Sequence, residues 1–450
     1  MKRKAYSKLL NWKHLRNGEC ALLVSGARRV GKSYLVKQFA QREYRSYILI
    51  DFNQTSEQIK NLFDNYLDNL DTLFMYLSAF TNTILYPRES LIIFDEVQLY
   101  PRARAAIKYL VADGRYDYIE TGSLVSIKQN VENIQIPSEE EELVLYPMDF
   151  EEFLWANGNE LLMPAINYSF QSKQPLGDIL HRKAMDFFRQ YLIVGGMPQA
   201  VEKYVETKDF EQVDLIKRQI LRLYRNDIHR YAKGYEAKVT RIFDTLPSQL
   251  QKHEKRFSLS ALTEHARMRE YENAFFWLQD AMIVNIAYNT TAPNIGLGLN
   301  QDCTTLKCYM ADTGLLLSHA FNENTIANEG LYQKILMDKL EFNEGMVVEN
   351  IVAQMLQTSG HKLYFFSKYD KEDKDERMEI DFLIAKHQIS SRHNISPIEV
   401  KSSTRYTLTS LQKCIKKYAT SLSTPFVIHT KDLEVKDNIV YLPLYMTALL

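Results

Sequence analysis

Residues 20–33 read CALLVSGARRVGKS, and this stretch decides the fold of the N-terminal third of the chain. Cys20 to Ser25 is a short apolar run, the length of a buried strand rather than of a helix. It leads into Gly26-x-x-x-x-Gly31-Lys32-Ser33, after which Tyr34 to Gln41 has the spacing of an amphipathic helix. Strand, glycine loop and helix in that order are the context in which G-x-x-x-x-G-K-[ST] carries chemistry. Its glycines let backbone N–H groups turn inward onto phosphate oxygens, and the helix N-terminus adds favourable partial charge. The expected nucleotide-binding residues are Gly26, Ala27, Arg28, Arg29, Val30, Gly31, Lys32, Ser33 and Tyr34. Lys32 is expected to reach the β- and γ-phosphates, and the Ser33 hydroxyl to ligate Mg²⁺. The plainer alternative is a glycine turn that only caps a helix. The strand before it and the helix after it weigh against that.

Further strands are expected at Ser46 to Phe52, Ser90 to Phe94, Tyr116 to Glu120 and Glu142 to Tyr146, with helical spacing at Ser56 to Phe80 and Arg102 to Val111. Strands that alternate with helices imply a parallel sheet covered on both faces. The run Leu91 to Phe94 ends at Asp95, so its carboxylate emerges at the sheet edge where open α/β folds place ligands. Asp95 is the expected partner of Ser33 around Mg²⁺, and Glu96 is placed to polarise an attacking water. Thr121 and Ser123 follow another strand at the same edge. They are sensor candidates for the γ-phosphate, and equally they suit a turn and a helix cap. Arg28 and Arg29 could pair with phosphate or with acids near Asp95, and both options stand. No N-K-x-D base-reading motif follows the loop, which favours ATP over GTP.

From Pro147 the character changes. Helices are expected at Asp149 to Trp155, Ile179 to Leu192, Phe210 to Tyr224, Ala237 to Lys252, Phe257 to His265 and Arg267 to Gln279. Two strand-like runs, Met282 to Tyr288 and Leu306 to Met310, flank a polar glycine-containing loop, which fits a winged-helix module. Gly195, Gly196 and Pro198 make a tight turn that need only be a C-cap. Tyr271, Ala274, Phe275 and Leu278 share a helical face that reads as core. Arg222, Arg225, Arg230, Arg267 and Arg269 are arginine-finger candidates, with surface salt bridging the commoner fate.

Past Glu344 the order becomes helix, three strands, helix, strand. Glu349 lies on the first helix, Asp381 inside MEIDFLIA, and Glu399 and Lys401 on PIEVKS. Glu399 and Lys401 share one strand face because alternation has period two. Acids set among Ile, Phe, Leu and Val are expensive to bury alone. A metal site for a second Mg²⁺ or Mn²⁺ is therefore expected at Glu349, Asp381 and Glu399, with Lys401 activating water or stabilising charge.

Composition sets bounds on these readings. The chain has 450 residues and a formal net charge of −1, which excludes a broadly basic coat for nucleic acid. Gly and Pro are sparse, so long flexible linkers are not expected. Cys20, Cys303, Cys308 and Cys414 show no metal spacing and read as reduced thiols. The N-terminal MKRKAYSKLLNWKHL lacks a signal-peptide core and no apolar run is long enough to span a bilayer, so a cytoplasmic protein without membrane contact is expected.

GARRVGKS, LIIFDEVQ, ETGS, LYPMDFEEFL, LIVGGMPQAV and YMADTGLL together resemble the AAA-type P-loop ATPases of bacteria and archaea that carry a C-terminal domain of unknown function. Glu120 departs from the apolar residue commoner before TGS. The C-terminal constellation resembles PD-(D/E)XK nucleases, with Ile380 where proline is usual. The fold class expected is α/β: a P-loop parallel-sheet domain (1–150), a helical lid region (151–225), a winged-helix-like domain (226–315) and a restriction-endonuclease-like α/β domain (316–450). The resemblances imply ATP and Mg²⁺ as ligands, with nucleotide state controlling a nuclease-like domain that acts on DNA or RNA. The alternative is an ATP-dependent docking switch whose nuclease-like domain is inactive and binds a protein partner or a second copy.

Overall fold

Five apolar runs of the N-terminal third become five parallel strands. The computed structural model describes residues 1–123, 138–252, 256–294, 296–321, 344–369, 372–373, 376–386, 393–403 and 405–450. The chain divides into two units, Met1–Pro147 with Asp280–Met282, and Met148–Gln279 with Ile283–Leu450. The sequence boundaries at 225 and 315 fall inside the second.

In the first unit, β1 (Ala21–Gly26), β2 (Ser46–Asp51), β3 (Ser90–Asp95), β4 (Asp117–Gly122) and β5 (Glu140–Leu145) form a sheet of order β2-β3-β4-β1-β5. Every pairing in it is parallel. Helices α1 (Ala5–Arg16), α2 (Lys32–Glu43), α3 (Glu57–Tyr66), α4 (Leu70–Thr81) and α5 (Pro101–Asp113) cover it. All residues of β1, β3 and β4 are buried, as a sheet covered on both faces requires. The pleat sends neighbours to opposite cores. Leu23, Ile92 and Phe94 pack with Phe63, Leu77 and Leu110 of α3 to α5. Leu22, Val24, Leu91 and Ile93 pack with Leu9, Trp12, Val36 and Phe39 of α1 and α2. Because β4 lies between β1 and β3, the carboxyl ends of all three strands meet at one edge.

Glu120, the departure noted in the sequence, is fully buried on β4. It is held with Glu140 around Arg104, whose Nη2 lies 2.8 Å from Glu140 Oε1 and whose Nε lies 4.0 Å from Glu120 Oε2. Burial first, and the bond to Glu140 second, raise the Glu120 carboxyl well above the usual carboxylate range.

The second unit opens with α6 (Phe150–Ala156), α7 (Leu162–Ser172), α8 (Asp178–Val194), α9 (Pro198–Thr207), α10 (Phe210–Tyr231), α11 (Glu236–Gln251) and α12 (Met268–Asp280). Its strands are β6 (Val284–Thr290), β7 (Gln301–Met310), β8 (Tyr364–Lys368), β9 (Met378–Ala385), β10 (Ile395–Val400), β11 (Phe426–His429), β12 (Glu434–Lys436) and β13 (Ile439–Pro443). They form one sheet of order β12-β13-β11-β10-β9-β8-β6-β7. Helices α13 (Thr313–Ala320), α14 (Glu344–Thr358) and α15 (Thr409–Lys417) complete the unit. The β6–β7 hairpin, read from the sequence as a wing, belongs to this same sheet, since β6 runs parallel to β8. Tyr271, Ala274, Phe275 and Leu278 are all buried.

The motif residues of this unit are packing devices. In MDFEEF, the Asp149 carboxylate accepts from Glu152 N at 2.9 Å and the Glu152 carboxylate from Asp149 N at 3.2 Å, a reciprocal capping box for α6. Asp312 caps α13 by accepting from Leu315 N at 2.9 Å and also takes Gly196 N at 2.6 Å. A Cβ on Gly196 would lie 2.1 Å from Met148 O, and one on Gly314 would lie 2.6 Å from Gly195 Cα. GGMP and ADTG are therefore glycine-to-backbone contacts pinned by one buried carboxylate.

Candidate functional site

The phosphate loop occupies Gly26 to Gly31 between β1 and α2. Gly26 has φ +155°, and a Cβ there would lie 2.4 Å from Leu145 O, so only glycine lets the loop leave the sheet. Gly31 (φ 95°) and Arg29 (φ 69°) are both left-handed, which turns successive peptide groups. Val30 and Ala27 are buried, while Arg28, Arg29 and Tyr34 are exposed. Lys32 Nζ donates to Gly26 O and Ala27 O, each at 3.0 Å, so the ammonium lies within the loop.

Asp95 ends β3 two strands away from the loop, and α2 bridges the gap. Ser33 Oγ donates to Asp95 Oδ1 at 2.7 Å. Thr121 Oγ1, on the intervening β4, donates to the same oxygen and accepts from Glu96 N at 3.4 Å. Asp95 is thus met by two neutral hydroxyls, the donor set that suits a hard, oxygen-seeking cation. Glu96 has φ 54°, a strained geometry for a residue with a side chain, and its carboxylate accepts from Gln98 Nε2. Ser123 is half-buried just beyond the strand. Of the two sensor candidates, Thr121 is the one joined to Asp95.

The C-terminal residues also converge, around a group the sequence reading missed. Lys307, on β7, is fully buried, and its Nζ lies 3.2 Å from Glu349 Oε1, 3.3 Å from Glu379 Oε1 and 3.7 Å from Asp381 Oδ1. The Tyr309 hydroxyl donates to Glu349 Oε1 as well, at 2.5 Å. Asp381 Oδ2 accepts from Val400 N at 2.8 Å, and Lys401 Nζ donates to Glu399 Oε2 at 2.6 Å. Burial opposes the charge on Lys307, but Glu349, Asp381 and Glu379 outweigh it and hold its pKa above the ordinary lysine value. Burial, then Asp381, pushes the Glu399 carboxyl up. Among the described residues, no group of three or more His, Cys, Asp or Glu is arranged to hold a metal ion. Of the residues expected there, Glu349 and Asp381 lie at Lys307 and Glu399 at Lys401. The signal for Lys307 was a lysine at an inward strand position between Leu306 and Cys308.

Residues 19–154 match the family model of an AAA domain. The similarity to AAA domains lies almost wholly in the first unit. Two domains of unknown function match the rest, DUF8612 over residues 185–325 and DUF4143 over residues 344–446. Lys307 falls in the former match and its acidic partners in the latter. No curated protein matches the sequence. Solved structures similar to the chain include a Walker-type ATPase of Pyrococcus abyssi at 16% identity, covering 71% of this chain and 95% of that one with a TM-score of 0.40. The ORC2 protein of Aeropyrum pernix in its ADP form follows at 13% identity, 75% and 93% coverage and a TM-score of 0.28. Cdc6p from Pyrobaculum aerophilum is similar at 12% identity, 76% and 96% coverage and a TM-score of 0.26. TM-scores this low specify neither substrate nor partner. Among the described residues, no helix is long and apolar enough to cross a membrane.

Of the arginine-finger candidates, Arg225 pairs with Asp244 at 2.6 Å. Cys308 and Cys414 are buried free thiols, whereas Cys303 is exposed.

Proposed function

We propose that the AAA-type domain binds ATP with Mg²⁺ and hydrolyses it, and that nucleotide state governs the second unit. The observation that carries this reading is the meeting of Ser33 and Thr121 hydroxyls on Asp95 Oδ1 beside the glycine loop. Backbone N–H groups of 26–33 cradle the phosphates, and Lys32 exchanges its loop carbonyls for β- and γ-phosphate oxygens. When bound, Mg²⁺ draws charge from those oxygens. Ser33 and Asp95 are the residues that would hold it. Glu96 orients a water and accepts its proton as the water oxygen bonds to the γ-phosphorus. The bond to the β–γ bridging oxygen breaks, and ADP leaves with that electron pair. Thr121 ties Asp95 to the backbone of Glu96, so metal position and water position move together. Arg28, Arg29 and Tyr34 are exposed around the loop, where base or phosphate contacts are available to them.

For the second unit, the order of helix, three strands, helix and strand favours kinship with PD-(D/E)XK nucleases acting on DNA or RNA. The lysine among its acids favours the docking reading, in which a protein partner or second copy is engaged, and we adopt that reading. Isothermal titration of ATP with Mg²⁺ into the full chain tests the first part, with heat expected from the parent and from Glu96→Gln but not from Lys32→Ala. Phosphate release is expected from the parent alone. Heat equal in Lys32→Ala would overturn the proposal. Size-exclusion chromatography with and without ATP tests the second part, with an ATP-dependent change of assembly expected that Asp381→Asn preserves and Lys32→Ala loses.

A further inference from the structure

Three positions on the second unit would have to supply ligands for a divalent cation: Glu349 on α14, Asp381 on β9 and Glu399 on β10. The helix is registered against β7 by amide side chains that follow directly on Glu349. Asn350 Oδ1 accepts from Met310 N at 2.8 Å and its Nδ2 donates to Met310 O at 3.1 Å. Gln354 Oε1 accepts from Thr313 N at 2.8 Å. This clamp fixes where the Glu349 carboxylate points, and it points at Lys307.

We infer that Lys307 Nζ stands where a divalent cation would bind, so that this carboxylate cluster is closed to metal by a cation carried in the chain. The inference deepens the docking reading of the second unit and does not involve the phosphate loop. Lys307 Nζ donates to Glu349 Oε1 at 3.2 Å and lies within ion-pair reach of Glu379 at 3.3 Å and Asp381 at 3.7 Å. Mg²⁺ needs oxygens at about 2.0–2.1 Å and near-octahedral geometry. The lysine cannot step aside. Its side chain is fully buried, and the Phe365 ring centroid lies 5.1 Å from Nζ. Other donors also hold these acids, since Tyr309 holds Glu349 Oε1, Val400 N holds Asp381 Oδ2 and Lys401 holds Glu399 Oε2, while Glu399 Oε1 is buried with no hydrogen-bond partner. Bringing a second cation to this point would set it against the ammonium groups of Lys307 and Lys401, whose like charge opposes it.

The cluster is therefore a cation site filled by its own polypeptide, and removing the lysine should open it. Mn²⁺ uptake by the full chain, measured by electron paramagnetic resonance without nucleotide and in a Ser33→Ala background, tests this. No saturable uptake is expected with Lys307 present. Lys307→Met is expected to gain about one Mn²⁺ per chain, because the oxygens of Glu349, Glu379 and Asp381 then face one point without the ammonium between them. Adding Glu349→Gln is expected to remove that gain. Lys307→Gln, which keeps hydrogen bonding to the acids, serves where the Met variant does not fold, with the same gain expected. Saturable uptake by the Lys307 chain that Asp381→Asn abolishes would overturn the inference. So would a folded Lys307→Met or Lys307→Gln chain that gains nothing. Neither result touches the ATP-dependent change of assembly, which tests the docking reading separately.

Discussion

Asp95 and Asp381 each lie on a sheet strand with donors converging on the carboxylate, yet the donors differ in kind. Around Asp95 they are the hydroxyls of Ser33 and Thr121, neutral groups that can turn to share a cation. Around Asp381 the nearest positive charge is the buried ammonium of Lys307, which cannot leave. A carboxylate held by hydroxyls keeps its charge available. A carboxylate held by a buried lysine has already spent that charge on the fold. The identity of the partner, more than the count of acids, separates the edge proposed to hold Mg²⁺ from the cluster proposed to be closed to it.

The widest gap between the two clusters should appear in turnover. Asp95→Asn keeps the hydroxyl contacts but weakens the cation's hold, and ATP hydrolysis should fall by about 10²–10³-fold. Asp381→Asn should leave hydrolysis within about twofold of the parent, since the residue belongs to the second unit's own sheet. Phosphate release at saturating ATP measures both. Equal losses would erase the distinction.

Stability should show the reverse ordering. Asp312→Ala strips the acceptor from the buried amides of Gly196 and Leu315, at a cost of about 2–4 kcal/mol. Asp312→Asn keeps an acceptor for one of them and should cost roughly half as much. Urea unfolding followed by the fluorescence of Trp155 and Trp277, both in the second unit, reads this directly. A loss below about 0.5 kcal/mol for the alanine variant would mean the GGMP–ADTG joint carries little of the unit's stability. A smaller effect is expected at the nucleotide edge. Thr121→Val removes one hydroxyl from Asp95, and kcat should fall about tenfold with KM little changed, while Thr121→Ser restores it. A shift confined to KM would place Thr121 in ground-state binding instead.

The first unit was almost fully legible in the sequence, because its information is local. Apolar runs of strand length, a glycine loop with fixed spacing and an acid at the end of Leu91 to Phe94 each report on themselves. Thr121 was legible only as half of a pair with Ser123, since strand order, which places β4 between β1 and β3, decides which hydroxyl reaches Asp95. The second unit hid more. Its strands were readable, but the parallel pairing of β6 with β8 joins segments about 75 residues apart, and nothing in either strand announces it. Lys307 was missed for that reason. In sequence it is a lysine in the arm of a hairpin, and only the sheet brings it to Glu349, Glu379 and Asp381.

The finest test of the contrast is the pH dependence of stability at Glu399. Its carboxyl is pushed up from 4.5 to about 8, first by burial and then by the charge of Asp381, with Lys401 opposing. A folded-state value above the unfolded one means that the folded chain binds this proton more readily. The associated stability is therefore complete below the unfolded value and drains away as pH climbs through the folded one. Between about pH 5 and about pH 8 the parent should lose roughly 3 kcal/mol that Glu399→Gln does not lose, because the amide keeps its bond from Lys401 and has no proton to shed. Urea midpoints at the two pH values measure the difference. Matching slopes would mean that Lys401 neutralises Glu399 at every pH, leaving a permanent ion pair. The second cluster would then be closed wholly by lysines, with no share taken by a proton.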